Sequence, residues 1–129
     1  MKRIRQILLF VLFAFMSTSL SAQTDTETLV QNLQTANFNK LLMSWDNQVE
    51  INLPNLPGQK QYSPSEANEL LRSFFDRNNI IGFEKKEDRK VGSTIYLTGK
   101  LISGTVKYNL TILLQESKKG FAIISLRVS

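Results

Sequence analysis

The chain has 129 residues, 16 Lys+Arg against 11 Asp+Glu, and neither Cys nor His. That composition excludes thiolate and imidazole metal sites, cysteine nucleophiles and every mechanism that uses histidine as its base. It also excludes disulfides, so the fold has to be held by burial of its apolar side chains.

The formal charge of +5 is concentrated at the start of the chain. Lys2, Arg3 and Arg5 precede an uninterrupted apolar run from Ile7 to Met16, and small and polar residues follow from Ser17 to Ala22. Basic, then apolar, then small is the order of a cleavable export signal, with the cut expected after Ala22. The apolar run falls well short of the roughly 18 residues that a spanning helix needs, so no permanent membrane anchor is expected. The expected division is therefore a signal peptide over residues 1–22 and one domain over residues 23–129, exported to the periplasm or beyond. Three basic residues leave with the signal, so 13 remain against 11 acidic ones, a net of +2. A balance that even gives no basis for nucleic-acid binding.

The first element of the domain is a short helix with Leu29, Val30 and Leu33 on its apolar face. Asn37 then caps a second, whose apolar positions are Phe38, Leu41, Leu42 and Trp45 at helical spacing. Asp46-Asn47 reads as a turn. Val49, Ile51 and Leu53 alternate with polar residues, which predicts a half-buried strand ended by Pro54. Ser63-Pro64-Ser65-Glu66 combines a cap residue, proline at the first helical position and glutamate three residues after the cap. The helix it opens carries Ala67, Leu70, Leu71, Phe74 and Phe75 on one stripe and stops at Asn78-Asn79.

Everything beyond Ile80 reads as sheet. Ile81 and Phe83 alternate before a charged stretch, Glu84 to Lys90, which reads as a solvated hairpin end. Strands 93–102 and 105–115 are joined by a two-residue turn at Ser103-Gly104. That turn predicts the pairs Leu101 with Val106, Gly99 with Tyr108, Leu97 with Leu110, and Ile95 with Ile112. In the last strand, Gln115 opposite Phe121 would place Ala122, Ile124, Leu126 and Val128 on the core face and turn Phe121 and Ile123 outward. Helices, strand, helix and an antiparallel meander make an α+β domain. Its curved, cone-like antiparallel sheet has the N-terminal helices packed on one face.

That order resembles the nuclear transport factor 2-like (cystatin-like) fold, and more narrowly a family of small exported bacterial proteins called domain of unknown function 4783. The resemblance spans the domain. It is carried by Asn37, Val49-Glu50-Ile51, Tyr62-Ser63, Glu66-Ala67, Phe74-Phe75, Gly99, Ile112-Leu113-Leu114 and the strand around Ile124. It implies a concave sheet with room for a pocket, and it does not by itself imply an enzyme.

The leading expectation is a non-catalytic module that binds a small apolar ligand or a protein partner in the cell envelope. Its pocket candidates are Trp45, Phe75 and Tyr108, with Tyr108 filling the space beside Gly99. The alternative is an isomerase or dehydratase in which Asp46 is the base and Tyr108 the electrophile, the arrangement that proton abstraction in an apolar pocket requires. No metal and no cofactor is expected, since no Asp-rich loop of calcium-binding spacing appears. Tyr96, Leu113, Phe121 and Ile123, gathered on the outer face of the sheet, are the expected contact of a homodimer.

Overall fold

A computed structural model describes residues 26–56, 60–117 and 120–129. The expected signal peptide at residues 1–22 lies outside the described residues. The chain is helical through residues 26–34 (α1), and Leu29 and Leu33 are buried along it. It leaves α1 through Ala36 at φ 52°, and the Asn37 N–H closes back onto the Asn32 carbonyl at 2.8 Å. This is the wide terminal hydrogen bond of a left-handed helix cap.

The second helix is shorter than its apolar spacing predicts. Asn37 does cap α2 (Phe38–Leu41), its side chain accepting from the Lys40 N–H. After four residues the chain tightens into a 3₁₀ turn, Leu42–Ser44, and Trp45 already begins strand β1 (Trp45–Asn52). Leu42 and Met43 are exposed, so only part of the helical stripe is used for packing. The Asp46-Asn47 turn signal therefore falls inside a strand, where the pairing of β1 with β6 is irregular between Trp45 and Glu50.

After the two-residue strand β2 (Gln61–Tyr62), helix α3 (Pro64–Arg77) forms as its caps specify. The Ser63 hydroxyl accepts from the Glu66 N–H, and the Glu66 carboxylate accepts from the Ser63 N–H. Ala67, Leu71, Phe74 and Phe75 are buried beneath it. Asn79 takes φ 50° and the Ile80 N–H returns to the Phe75 carbonyl at 3.0 Å, a second left-handed cap that ends the helix at the expected asparagines.

Four long strands complete the chain: β3 (Gly82–Val91), β4 (Thr94–Ser103), β5 (Val106–Ser117) and β6 (Gly120–Val128). The charged stretch expected at a hairpin end is strand throughout. The six strands lie in the order β2-β1-β6-β5-β4-β3, antiparallel except where β1 runs parallel to β6. The sheet is thus mixed at that one junction. Both β3–β4 and β4–β5 turn through two residues with a positive-φ glycine first, Gly92-Ser93 and Gly104-Thr105, as a type II′ hairpin needs.

The β4–β5 turn is one residue later than predicted, so every partner moves by two. Leu101 faces Tyr108, Gly99 faces Leu110, Leu97 faces Ile112 and Ile95 faces Leu114. A shift of two preserves the faces, and the predicted core residues remain in the core. In β6 a bulge between Leu113 and Leu114 changes the faces instead. Ile123 is buried with Leu126 and Val128, while Ala122 and Ile124 are half-buried. The core lies between the concave side of the sheet and the helices, from Leu29 and Leu33 through Trp45 to Leu126.

Candidate functional site

Within the cone, each of the three predicted pocket residues is committed to another part of the chain. Trp45 is buried, and its indole Nε1–H donates to Asn68 Oδ1 at 3.1 Å. The Asn68 Nδ2 donates in turn to the Phe38 carbonyl at 3.0 Å. One side chain of α3 thereby ties β1 to α2. Phe75 packs edge-on to Phe38 with ring centroids 5.1 Å apart. Tyr108 packs edge-on to Phe74 at 5.3 Å, and its hydroxyl donates to Asn78 Oδ1 at 3.2 Å. Asn78 also donates to the Phe74 carbonyl and accepts the Ser103 hydroxyl on its own carbonyl.

Tyr108 therefore does not fill the space beside Gly99. The Phe83 ring does, lying so close that a Cβ on Gly99 would stand 2.6 Å from its Cε1 and Cζ. Tyr108→Phe should lower stability by about 1 kcal/mol in urea denaturation, the usual worth of one hydroxyl hydrogen bond. No measurable loss would mean that solvent already serves the Tyr108 hydroxyl.

Asp46 and Tyr108 are not brought together. Trp45, next to Asp46, is aligned with Ile123, and Ile123 is aligned with Leu114. Tyr108 lies six residues from Leu114 along β5, roughly 20 Å at the rise of a strand. Asp46 is also only half-buried. The separation leaves the acid–base pair of the alternative reading unassembled.

The outer face is likewise only half as predicted. Tyr96 and Leu113 are direct cross-strand neighbours on the convex side, and the Arg89 guanidinium lies 5.9 Å from the Tyr96 ring centre. Ile123 is fully buried between Trp45 and Leu114 on the concave side. Phe121 shares that side, half-buried, with the Lys90 ammonium 5.5 Å from its ring. The bulge in β6 is the physical reason, because one extra residue exchanges the two faces beyond it.

Open space lies elsewhere. A groove of about 570 Å³ runs between α1 and the outer edge of the sheet. Glu27, Val30, Gln31 and Gln34 border it from the helix, and Phe83, Glu84, Lys85 and Ile102 from β3 and β4. Val30 and Ile102 are half-buried and Phe83 is buried, giving an apolar floor with a polar rim. Ile102 was the available signal, as an isoleucine on the convex parity of β4, and Val30 was read as core. Two of the rim charges are already engaged: Lys85 with Asp88 at 2.9 Å and Glu84 with Lys107 at 3.9 Å. A smaller depression of about 270 Å³ lies over Tyr62, Glu66, Glu69, Leu70 and Ser73, where Glu66 already serves the helix cap. Among the described residues no group of three or more acidic side chains is placed to hold a metal ion. None of the described helices is long and apolar enough to cross a membrane.

Residues 26–129 match the model of a family described as Domain of unknown function (DUF4783). None of the curated proteins matches the sequence. Among solved structures, a DUF4783 family protein from Bacteroides uniformis superposes with a TM-score of 0.71 at 14% identity, covering 80% of this chain and 94% of that one. A protein of unknown function with a cystatin-like fold from Xanthomonas campestris gives 0.64 at 15% identity, covering 83% and 88%. An NTF2-like protein of unknown function from Cytophaga hutchinsonii gives 0.59 at 15% identity, covering 84% and 88%. At these identities the likeness is one of fold.

Proposed function

Starting from a chain that belongs to the family described as Domain of unknown function (DUF4783) and has an NTF2-like fold, we propose an exported, non-catalytic binding module. It would take a small, largely apolar ligand in the groove between α1 and β3. The observation that carries this reading is the contrast between groove and cone. At Trp45, Phe75 and Tyr108 the interior is closed by partners within the chain, whereas Val30, Phe83 and Ile102 line a cleft open to solvent. Its volume of about 570 Å³ lies in the range of small-molecule sites, and Val30, Phe83 and Ile102 give it an apolar floor beneath a polar rim. Export is supported by the basic, apolar and small-residue series over residues 1–22.

Native mass spectrometry of the protein recovered from its source tests both parts. The expected mass begins at Gln23 and carries a bound small molecule, and Val30→Trp, which fills the groove, releases it. A product that retains Met1 would remove the export reading. A ligand-free protein in every preparation, or a ligand unmoved by Val30→Trp, would remove the groove.

A further inference from the structure

β3 forms one edge of the sheet, and from Glu84 to Arg89 each residue is charged: Glu, Lys, Lys, Glu, Asp, Arg. Mixed charge on an edge strand ordinarily keeps other strands away. This order has another property, which is that its signs invert when it is reversed. Against an antiparallel second copy with Glu84 facing Arg89, Lys85 faces Asp88 and Lys86 faces Glu87, and two-fold symmetry makes each pair twice. Sliding by two residues one way sets Lys86 against Arg89 and Glu87 against Asp88. Sliding the other way sets Glu84 against Glu87 and Lys85 against Lys86. One register is attractive throughout, and both neighbours are repulsive.

A regular strand could not use that register. Opposed residues of an antiparallel pair point to the same face, whereas residues 84 and 89, or 85 and 88, of a regular strand point to opposite faces. The bulge at Lys86 removes the obstacle. Lys85 and Asp88 align with Gly99 and Leu97 on the concave side, and Glu84 and Arg89 with Lys100 and Tyr96 on the convex side. The ion pair between Lys85 and Asp88, at 2.9 Å across three residues, has the same origin. The charge order and the extra residue thus fit each other.

We propose that β3 is the interface of a two-fold dimer of this chain. The two β3 strands pair antiparallel with Glu84 opposite Arg89, and the two six-stranded sheets join edge to edge. Among the described residues, α1 stands across a groove from Phe83, Glu84 and Lys85 of this edge. In the pair, Asp88 and Arg89 of the second copy stand at the groove's mouth. The dimer goes beyond the ligand reading and does not depend on it.

The chain has no cysteine of its own, so Glu84→Cys and Arg89→Cys can be prepared separately and then mixed under mild oxidation. Disulfide dimers are expected about tenfold faster in the mixture than in either preparation alone. Same-numbered cysteines are five residues out of register, roughly 16 Å apart. In sedimentation equilibrium the exported protein is a dimer that loosens with added salt. Lys85→Glu weakens it by about tenfold through two like-charge contacts, and Lys85→Glu with Asp88→Lys restores it. Circular dichroism checks that each variant is folded. A monomer at millimolar concentration overturns the proposal. So does a dimer indifferent to Lys85→Glu, which would place association on another surface such as that of Tyr96 and Leu113.

Discussion

Gly99→Ala is expected to lower the stability of the fold by about 3 kcal/mol, a large effect for a single methyl group. An added Cβ would stand 2.4 Å from the Glu84 carbonyl oxygen and 2.6 Å from two atoms of the Phe83 ring. Neither neighbour yields easily. The carbonyl belongs to the main chain of β3, and the ring is itself buried in the core. Equilibrium denaturation of Gly99→Ala and of Gly99→Ala with Phe83→Leu separates the two contacts. The smaller side chain relieves the ring clash and leaves the carbonyl clash, so recovery should be partial. A loss below about 1 kcal/mol for Gly99→Ala would mean that β3 moves aside freely, and the bulged geometry next to it would then be soft.

Trp45→Ala is expected to cost about 4 kcal/mol, as a large aromatic side chain removed from a packed core does. Trp45→Phe should cost about 2 kcal/mol, because it keeps most of the ring volume and loses the hydrogen bond to Asn68. The Phe variant strands Asn68 Oδ1, which is only part-buried, so water softens that loss. Chemical denaturation of both variants reads the difference. Equal losses would mean that the indole's volume contributes little and that its N–H bond carries the whole effect.

What was legible in the sequence was what is local. α3 could be read to the residue at its start because the capping box, proline and apolar stripe all lie within one segment and agree. The sheet was legible by face and not by partner. Choosing Ser103-Gly104 over Gly104-Thr105 changes every pairing in the β4–β5 hairpin, yet parity keeps Leu97, Leu101, Leu110 and Ile112 inside. Bulges hide better. Nothing local in Phe121-Ala122-Ile123-Ile124 says that an extra residue is accommodated there, and both Phe121 and Ile123 were misassigned for that reason. Trp45 failed differently, since a helical stripe and a strand start can present the same indole to the core. The groove was not legible because it lies between α1 and β3, elements far apart in sequence with α2, β1, β2 and α3 between them.

The place of β6 in the sheet governs when the domain can exist at all. β6 lies between β1 and β5, holding the early part of the sheet, β2-β1, to the later part, β5-β4-β3. A growing chain that has reached Ser117 has two sheet fragments with unmatched edges and no strand to join them. The core residues of β1, Val49 and Ile51, wait for Leu126, more than seventy residues downstream. Closure of the sheet therefore waits until β6 has been made, and until then β1 and β5 each lack the neighbour that joins them.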